Sequence, residues 1–411
     1  MVVRPKLMLI TGCLLAMFSL VGSPQGAAQQ NAKQNAEKNS DRIRRIPSEN
    51  NKDFPAAIRV HAETFGHTTQ ILPKNNSETT PSQCQSVLSR LAQILKDVDS
   101  DKTHVVQLNA YVTDVKAREV FEAAIRNWFG DTLPAVTWVA TPLPVEQAQV
   151  GLDAVFISKQ SSDQRLLSQK TGTPDENPNG TADSSLLPAG DVVYVSGQAE
   201  PGDLVEGTKE TLLSLERTLQ FLELDKQHVV QIKCFLTPMS DVAIVNQELA
   251  KFFGDSAVPP VSHVEWISGS REIEIELVAW APAAESEKSV SYATPPGMRS
   301  SPVYSRLARI HGQDRIYVSG LFAQEVGSGA EQVLNIYQSL ESTLKKAGSD
   351  LKHLAKATYY VSAADSSSQL NKLRPNYYDP ERPPAASKSM MKKMAAEKMT
   401  IHIDMIAAPN R

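Results

Sequence analysis

The side chains best suited to acid–base chemistry in this sequence lie on predicted strands. Glu274 stands in residues 272–277, where glutamates alternate with Ile and Leu, so a strand here has one polar and one apolar face. His263 and His402 also lie in strand-like segments. A histidine can act as a base or ligand near neutral pH, but a lone histidine on a strand is more often a hydrogen-bonded structural residue.

No metal-binding or phosphate-binding motif accompanies these candidates. The sequence has no cluster of Cys, His and carboxylates at zinc spacing, no glycine-rich phosphate loop and no nucleophile elbow. His104, His228 and His353 each precede a predicted strand, and a turn or cap role fits them better than metal binding. We therefore expect neither a metal nor a cofactor.

The same three histidines mark an internal repeat. Residues 101–108 recur as 225–232, with a weaker copy at 349–356, and the histidines lie 124 and 125 residues apart. A period of this length holds about one domain, so we expect three domains in tandem. In each repeat a strand, a helix, a strand, a second helix and two closing strands follow in the same order.

Composition restricts the partners. The 411 residues carry a formal net charge of −4, so no global basic field favours nucleic-acid binding. We expect a small-molecule ligand and no nucleic acid.

The N-terminus has the three parts of an export signal: Arg4 and Lys6, an apolar run over residues 7–21, and small residues up to Ala28. The run is too short to span a membrane, so we expect a chain exported to the periplasm or outside the cell, with no membrane segment after cleavage. The alternative is a lipid anchor on Cys13.

Two cysteines, Cys84 and Cys234, remain after cleavage. One disulfide is possible in an oxidising compartment. Because the two cysteines fall at non-equivalent points of different repeats, we expect two buried free thiols instead.

Polar, turn-rich stretches set the expected domain boundaries. After a signal peptide at residues 1–28, the predicted parts are a disordered leader at 29–55, domain 1 at 56–159, a linker at 160–187, domain 2 at 188–283, a linker at 284–299 and domain 3 at 300–411.

The second repeat resembles the RidA (YjgF, L-PSP endoribonuclease-like) family. The resemblance rests on Ser196-Gly197-Gln198 at a strand end, Asp241, Asn246 and Phe252-Phe253 on a helix, Pro259, Ser262 and Glu265 on a strand, and Glu274-Ile275-Glu276 on the closing strand. The third repeat matches more loosely, through Tyr304, Ser319-Gly320, Asn371, Tyr377-Tyr378 and Pro384 to Ser387, and the first is the most eroded.

This resemblance implies an α/β (α+β) fold in which each domain is a mixed sheet with two helices on one face. Family members assemble as homotrimers and bind small ligands in the clefts between subunits. Three copies in one chain therefore predict an intramolecular pseudo-trimer that is monomeric, because short linkers give a high effective concentration. Three separate domains on a string are the alternative.

The resemblance also implies a missing group. Deaminating members carry an arginine that clamps the substrate carboxylate, and the matching positions here are Val136, Val261 and Ala386. Lys388, two places beyond Ala386, could supply a charge or be a surface residue. At the family's water-activating position this chain has Gly151, Glu274 and His402, so Glu274 is the one candidate catalytic residue, unless it simply pairs with Arg271 or solvent.

The remaining site residues follow from the same motifs. Expected ligand-binding residues are Ser196, Gly197, Asn246, Val261, His263, Tyr304, Ser319 and Asn371. Asp153, Glu276 and Asp404 are acidic in all three copies, which suggests a shared structural role along the inner axis.

Three functions stay open. The missing arginines favour an exported RidA-like protein that binds a small carbonyl, imine-type or aromatic metabolite in interdomain clefts without standard imine deamination. The second is an enzyme, either an imine or enamine deaminase with substitute residues or the endoribonuclease of the family's name. The third is a secreted structural or interaction module.

Overall fold

The structure is a computed structural model that describes residues 1, 42–49, 53–74, 79–160, 165–167, 181–299 and 301–410. Apart from Met1, the predicted signal peptide, with Cys13, lies outside the described residues, as does most of the predicted leader. Arg42–Arg411 form one unit that contains all three domains. In the part of the chain so described, no helix combines the length and apolar character needed to cross a membrane.

Nineteen strands are present in the described ranges. In chain order they are β1 (Ile43–Ile46), β2 (Ala57–His61), β3 (Phe65–Thr68), β4 (Val105–Val112), β5 (Ala135–Ala140), β6 (Val150–Ile157), β7 (Leu166–Leu167), β8 (Ser184–Leu187), β9 (Asp191–Gln198), β10 (Val229–Leu236), β11 (Val261–Glu265), β12 (Ile273–Ala281), β13 (Val290–Ala293), β14 (Leu307–Ile310), β15 (Asp314–Val318), β16 (Leu321–Phe322), β17 (Leu354–Val361), β18 (Ala385–Met390) and β19 (Ile401–Ala407).

The strands form three sheets. Their orders are β5-β4-β6-β3-β8-β7 in domain 1, β11-β10-β12-β9-β14-β13 in domain 2 and β1-β2-β15-β19-β17-β18 in domain 3, where β16 also pairs with β19. Each sheet has one parallel pair, β4–β5, β10–β11 or β17–β18, and its other pairs are antiparallel. A helix connects each parallel pair because parallel neighbours need a long crossover.

Two helices cover one face of each sheet. They are α1 (Thr80–Asp97) and α2 (Val115–Phe129) in domain 1, α3 (Leu204–Gln220) and α4 (Val242–Phe253) in domain 2, and α5 (Gly329–Ala347) and α6 (Ala364–Leu373) in domain 3. Each helix buries the apolar stripe that its spacing predicts; in α1, Val87, Leu91 and Leu95 are fully buried against the sheet. The predicted mixed sheet with two helices on one face is thus confirmed in every domain.

The three repeated histidines end short turns, each of which is capped by an aspartate. Short 3-10 turns at Lys102–His104, Lys226–His228 and Leu351–His353 precede β4, β10 and β17. In the second turn the Asp225 carboxylate accepts the Gln227 N–H, and the His228 ring lies 2.9 Å from the same carboxylate. A carboxylate that accepts a free backbone N–H stabilises the turn. The sequence predicts a turn or cap role for the histidines, and His228 lies in such a turn and completes its cap.

A short strand that precedes the predicted first strand of each repeat joins the sheet of the preceding domain. Strand β8 pairs with β3, β14 pairs with β9, and β2, from the start of the described chain, pairs with β15 in the last domain. The chain crosses from one sheet to the next in three equivalent three-residue connections, residues 62–64, 188–190 and 311–313. The exchange is therefore cyclic, and pairing between β2 and β15 closes the ring without a covalent link.

Three segments predicted to be leader or linker contain strands of these sheets. Strand β1 lies in the predicted leader, β7 and β8 in the first predicted linker, and β13 in the second. The prediction of structureless segments is wrong at these places. The strands have two to four residues each, which is too short for a period-of-two pattern to stand out.

The sheet faces opposite the helices pack against each other around a common axis. Buried apolar residues from all three domains form one cluster there, including Val106, Val230 and Ala355 at equivalent positions. Cys84 and Cys234 are free and buried in the cores of different domains, as expected from their positions.

Three equivalent hydrogen bonds tie the domains together beside this axis. In each, a hydroxyl from β5, β11 or β18 of one domain donates to a carboxylate on the closing strand of a neighbouring domain. The contacts are Ser262 Oγ to Asp153 Oδ2 (2.6 Å), Ser387 Oγ to Glu276 Oε2 (2.5 Å) and Thr137 Oγ1 to Asp404 Oδ1 (3.1 Å). The three recurrent carboxylates therefore have the shared structural role that the sequence suggests.

Candidate functional site

Three contacts between domains, which we call clefts, lie where a strand end of one domain meets the strand that follows the proline motif, β5, β11 or β18, of another domain. Domain 1 presents Thr69 to β11 of domain 2, domain 2 presents Gly197 to β18 of domain 3, and domain 3 presents Gly320 to β5 of domain 1. The clefts share one geometry, so their side chains decide what each can do.

The cleft between domains 1 and 2 is closed by domain 1 itself. The Gln70 N–H donates to Val261 O at 3.0 Å, and the Gln70 side chain exchanges two hydrogen bonds with the backbone of His263, at 3.1 and 3.2 Å. His263 is fully buried, and burial lowers its pKa to about 3. At neutral pH this histidine is an uncharged interior residue without access to a ligand.

Domain 1 has also lost the carboxylate that would serve such a cleft. Gly151 pairs with Tyr111 at the register position where Glu274 pairs with Phe235 in domain 2. A Cβ on Gly151 would lie 3.1 Å from both Ile71 O and a Leu72 methyl, so the chain itself fills this space. Among the described residues, no carboxylate occupies the position of Glu274 in this cleft.

The cleft between domains 3 and 1 is covered by aromatic rings. His402 takes the position of Glu274, and the Phe322 ring stacks on it at 4.1 Å between centroids. The Arg118 guanidinium lies between the Trp138 and Phe322 rings, 5.2 and 5.6 Å from their centroids. Burial and the charge of Arg118 lower the pKa of His402 to about 3, so it is a weak base.

A cavity of about 730 Å³ opens outside these rings. Arg118, Trp138 and Phe322 line one end of it, and Asn335 and Ser339 of α5 line its side. The lining offers stacking and hydrogen bonds, and His402 with its lowered pKa stands at the position of Glu274, so the cavity suits binding better than acid–base catalysis.

The cleft between domains 2 and 3 alone keeps the family's carboxylate in the described residues. Glu274 lies directly beside Gly197, since a Cβ on Gly197 would fall 2.0 Å from Glu274 Oε1. Across the cleft the Gly197 N–H donates to Ser387 Oγ at 3.0 Å. Glycine at 197 is therefore required for the carboxyl group to sit against the strand end.

The electrostatics of this cleft favour a protonated Glu274. Burial and the neighbouring Glu276 carboxylate raise the pKa of Glu274 to about 8. The charges of Arg306 and Lys356 act in the opposite direction and are outweighed. At neutral pH Glu274 is mostly an uncharged acid that can donate or accept a hydrogen bond without repelling an anion.

Arg306 supplies a guanidinium to the same cleft. It lies 5.3 Å from the Tyr304 ring centroid and directs Nη1 to Gly197 O at 3.5 Å. Its Nε is buried and has no hydrogen-bond partner among the described residues. A buried donor without a partner is costly, so an acceptor from a ligand would satisfy it.

Lys388 adds a second cation on the domain 3 side. Its Nζ donates to Ser367 Oγ and Asn371 Oδ1, both at 3.2 Å, and its pKa is lowered by burial and by Arg374. Lys388 is half-buried and lies within the electrostatic range of Glu274. Glu274 does not pair with Arg271, whose guanidinium donates to backbone carbonyls of Ala199 and Ser270.

The structure divides the predicted site residues among the three clefts. Ser196, Gly197, Glu274 and Tyr304 belong to the domain 2–domain 3 cleft, which Asn371 reaches through Lys388. Val261 and His263 lie in the closed cleft between domains 1 and 2. Ser319 lies in the cleft between domains 3 and 1, where its hydroxyl accepts the Val136 N–H. Asn246 is on α4 with an unpartnered buried Oδ1 among the described residues.

Sequence reasoning missed Arg306. It lies outside every motif, two residues beyond Tyr304, and reaches the cleft from the approach to an exchanged strand. No group of three or more His, Cys, Asp or Glu able to hold a metal ion occurs within the described ranges.

Comparison with known proteins bears on all three domains. The family model described as Endoribonuclease L-PSP matches residues 52–156, 182–281 and 298–409. No curated protein matches the chain.

Solved structures of single domains are also similar to it. One is a YjgF family member from Neisseria meningitidis, NMB1025, with 20% identity over 30% of this chain and 96% of that chain, at a TM-score of 0.23. A second is YyfB of the conserved Rid family from Yersinia pestis, a protein of unknown function, with 19% identity over 29% and 99%, at 0.26. A third is a putative endoribonuclease L-PSP from Entamoeba histolytica, with 18% identity over 28% and 97%, at 0.22. Because the family model covers most of the chain in three consecutive matches, the chain belongs to the endoribonuclease L-PSP (RidA/YjgF) family and carries three copies of its domain.

Proposed function

We propose that this chain binds a small carbonyl- or imine-type carboxylate in the cleft between domains 2 and 3. The observation that carries the proposal is the buried Nε of Arg306, which has no partner among the described residues and lies beside Glu274, whose pKa is raised by burial. A guanidinium binds a carboxylate through charge-assisted hydrogen bonds, and a neutral acid can hold the ligand's carbonyl or imine group. Arg306 would thus supply the cation that the family's motif position, here Ala386, does not provide.

Two features support one such site per chain. The cleft between domains 1 and 2 is filled by Gln70, and the cleft between domains 3 and 1 has His402 under Phe322 in place of a carboxylate. We also propose that the chain works as an exported monomer. The signal-like pattern at its N-terminus supports export, and its three fused domains support the monomer.

The test is thermal-shift screening with short 2-oxo acids and the matching aldehydes. We expect the acids to raise the transition temperature and the aldehydes to raise it less. Arg306→Gln should weaken binding of the acid about 10- to 150-fold, the equivalent of about 1.5–3 kcal/mol for a hydrogen bond to a charged group. Arg271→Gln is the matched control, because its guanidinium contacts only backbone carbonyls in the described residues. Equal binding by both variants would contradict the proposal.

Imine or enamine hydrolysis is a second candidate function, which the position of Glu274 favours. A carboxyl group whose pKa lies near 8 can both donate and accept a proton at neutral pH, as general acid–base catalysis requires. A coupled assay that generates an enamine amino acid and follows ammonia should then show turnover that Glu274→Ala abolishes and Glu274→Gln strongly reduces. If the wild-type protein shows no turnover, hydrolysis is refuted and ligand binding is the function that remains.

A further inference from the structure

Domains 1 and 2 each hold a lysine over an aromatic ring at the end of the second helix. Lys102 Nζ donates to Trp128 O at 2.6 Å and lies 5.6 Å from the ring centroid of the same residue. Lys226 Nζ donates to Phe252 O at 2.7 Å and lies 5.4 Å from that ring. Each ammonium thus combines a hydrogen bond to a helix-end carbonyl with a cation–π contact, two interactions that suit this place.

Domain 3 keeps the aromatic ring and has lost the lysine. Leu351 begins the third 3-10 turn, where Lys102 and Lys226 begin the other two, and Tyr377 takes the aromatic position. The Tyr377 ring stacks on Tyr337, with centroids 4.2 Å apart. Throughout the described ranges, no lysine or arginine lies over the Tyr377 ring.

A groove of about 620 Å³ is lined by Leu351 and Tyr377, the residues that replace the lysine and carry the ring in domain 3. Its apolar lining is Leu351, Tyr377 and Tyr378. Three carboxylates lie along it, namely Glu341, Asp350 and Asp379.

The charges around the groove favour a cation. Lys345 and Lys352 also line it, so the carboxylates exceed the ammonium groups by one. Burial and then the negative charge of Glu341 raise the pKa of Tyr377, which places Glu341 close to the ring. The backbone carbonyls at the C-terminal end of α5, which Gly348 terminates, further disfavour an anion.

We propose that this groove binds a small primary alkylamine, whose ammonium group takes at Tyr377 the position that Lys102 and Lys226 take in the other two domains. The site is independent of the cleft proposed above and lies on the opposite, helix-bearing side of the domain 3 sheet. The alkyl chain would lie along Leu351 and Tyr378, and Glu341 would face the charge.

Leu351→Lys is the matched control, because it places in domain 3 the lysine that domains 1 and 2 have at the equivalent position. We expect n-butylammonium, the length of a lysine side chain, to bind wild-type protein at a single saturable site when titrated by NMR, and to bind at least tenfold more tightly than n-butanol. Leu351→Lys should weaken the binding at least tenfold.

Lys226→Leu offers a second test, because it should open an equivalent groove over Phe252 and raise the number of butylammonium sites from one to two. Circular dichroism checks that both variants fold. Unchanged affinity in Leu351→Lys, or equal binding of n-butanol, would overturn the proposal.

Discussion

The buried pair between Lys356 and Glu276 offers a sharp test of how the three domains hold together. Lys356 Nζ lies 2.6 Å from Glu276 Oε1 and 2.8 Å from Thr358 Oγ1, and the two paired side chains are 12% and 3% exposed. Lys356 belongs to domain 3 and Glu276 to domain 2, so the pair crosses the interface. We predict the effect of Lys356→Met, which keeps the apolar stem and removes the charge.

The magnitude follows from what the substitution leaves behind. Removing one partner of a buried pair typically costs about 3–5 kcal/mol, because the remaining charge stays desolvated. Ser387 still donates to Glu276 in the variant, and Lys233 still acts on it. We therefore expect the low end of that range, about 3 kcal/mol of unfolding free energy.

The pH dependence should change as well. Although burial alone would raise the pKa of Glu276, Lys356 and Lys233 hold it below its ordinary value. A carboxylate with a lowered folded-state pKa stabilises the fold above its ordinary pKa, and this stabilisation is lost as the pH falls. Without Lys356 this acid-side loss should shrink.

The assay is urea unfolding followed by tryptophan fluorescence. Lys209→Met is the matched control, because Lys209 forms an exposed pair with Glu206 at 3.3 Å, and we expect no measurable change from it. The double variant Lys356→Met, Glu276→Gln should recover part of the loss, since position 276 then no longer carries a buried charge that lacks Lys356. A loss below about 1 kcal/mol in Lys356→Met, or a double variant as unstable as the sum of the single ones, would refute the reasoning.

Three further predictions follow from the fold and the cleft. A chain that starts at residue 62 lacks β2, so hydrogen exchange at β15 should accelerate and a peptide of residues 42–61 should restore protection; unchanged protection in the truncated chain would show that β2 does not close the ring. Because the pKa of Glu274 is raised to about 8, its ionisation costs stability as the pH rises from about 5 to 8; Glu274→Gln should flatten this part of the stability–pH curve, and an unaltered slope would contradict the raised pKa. Sedimentation should give the mass of one chain, since the three domains already occupy each other's interfaces, whereas a trimer of chains would contradict the intramolecular assembly.

Much of the fold could be predicted from the sequence because its signals are local. The apolar stripe of α1 and the turn that ends at His228 each depend on residues within a few positions of one another. The cyclic exchange, by contrast, depends on which of three similar sheets a short strand pairs with. Strands such as β8 and β14 have four residues each, and their local pattern is the same whichever sheet they enter.

The candidate site could be predicted only in part for a related reason. Ser196, Gly197 and Glu274 lie in one domain and match one family pattern, so the sequence of that domain identifies all three as site residues. The opposite wall comes from domain 3, and Val261 and His263 face domain 1 instead. The signal that could have identified Arg306 is its distance of two residues from Tyr304 in a chain whose three motif arginines are missing.

The central claim is that one cleft, between domains 2 and 3, binds a small carboxylate through Arg306. Isothermal titration calorimetry with 2-oxobutanoate tests it most directly, because it returns both the affinity and the number of sites. We predict one site per chain, with affinity lowered at least tenfold by Arg306→Gln. Three sites per chain, or one site with the same affinity in Arg306→Gln, would contradict the account.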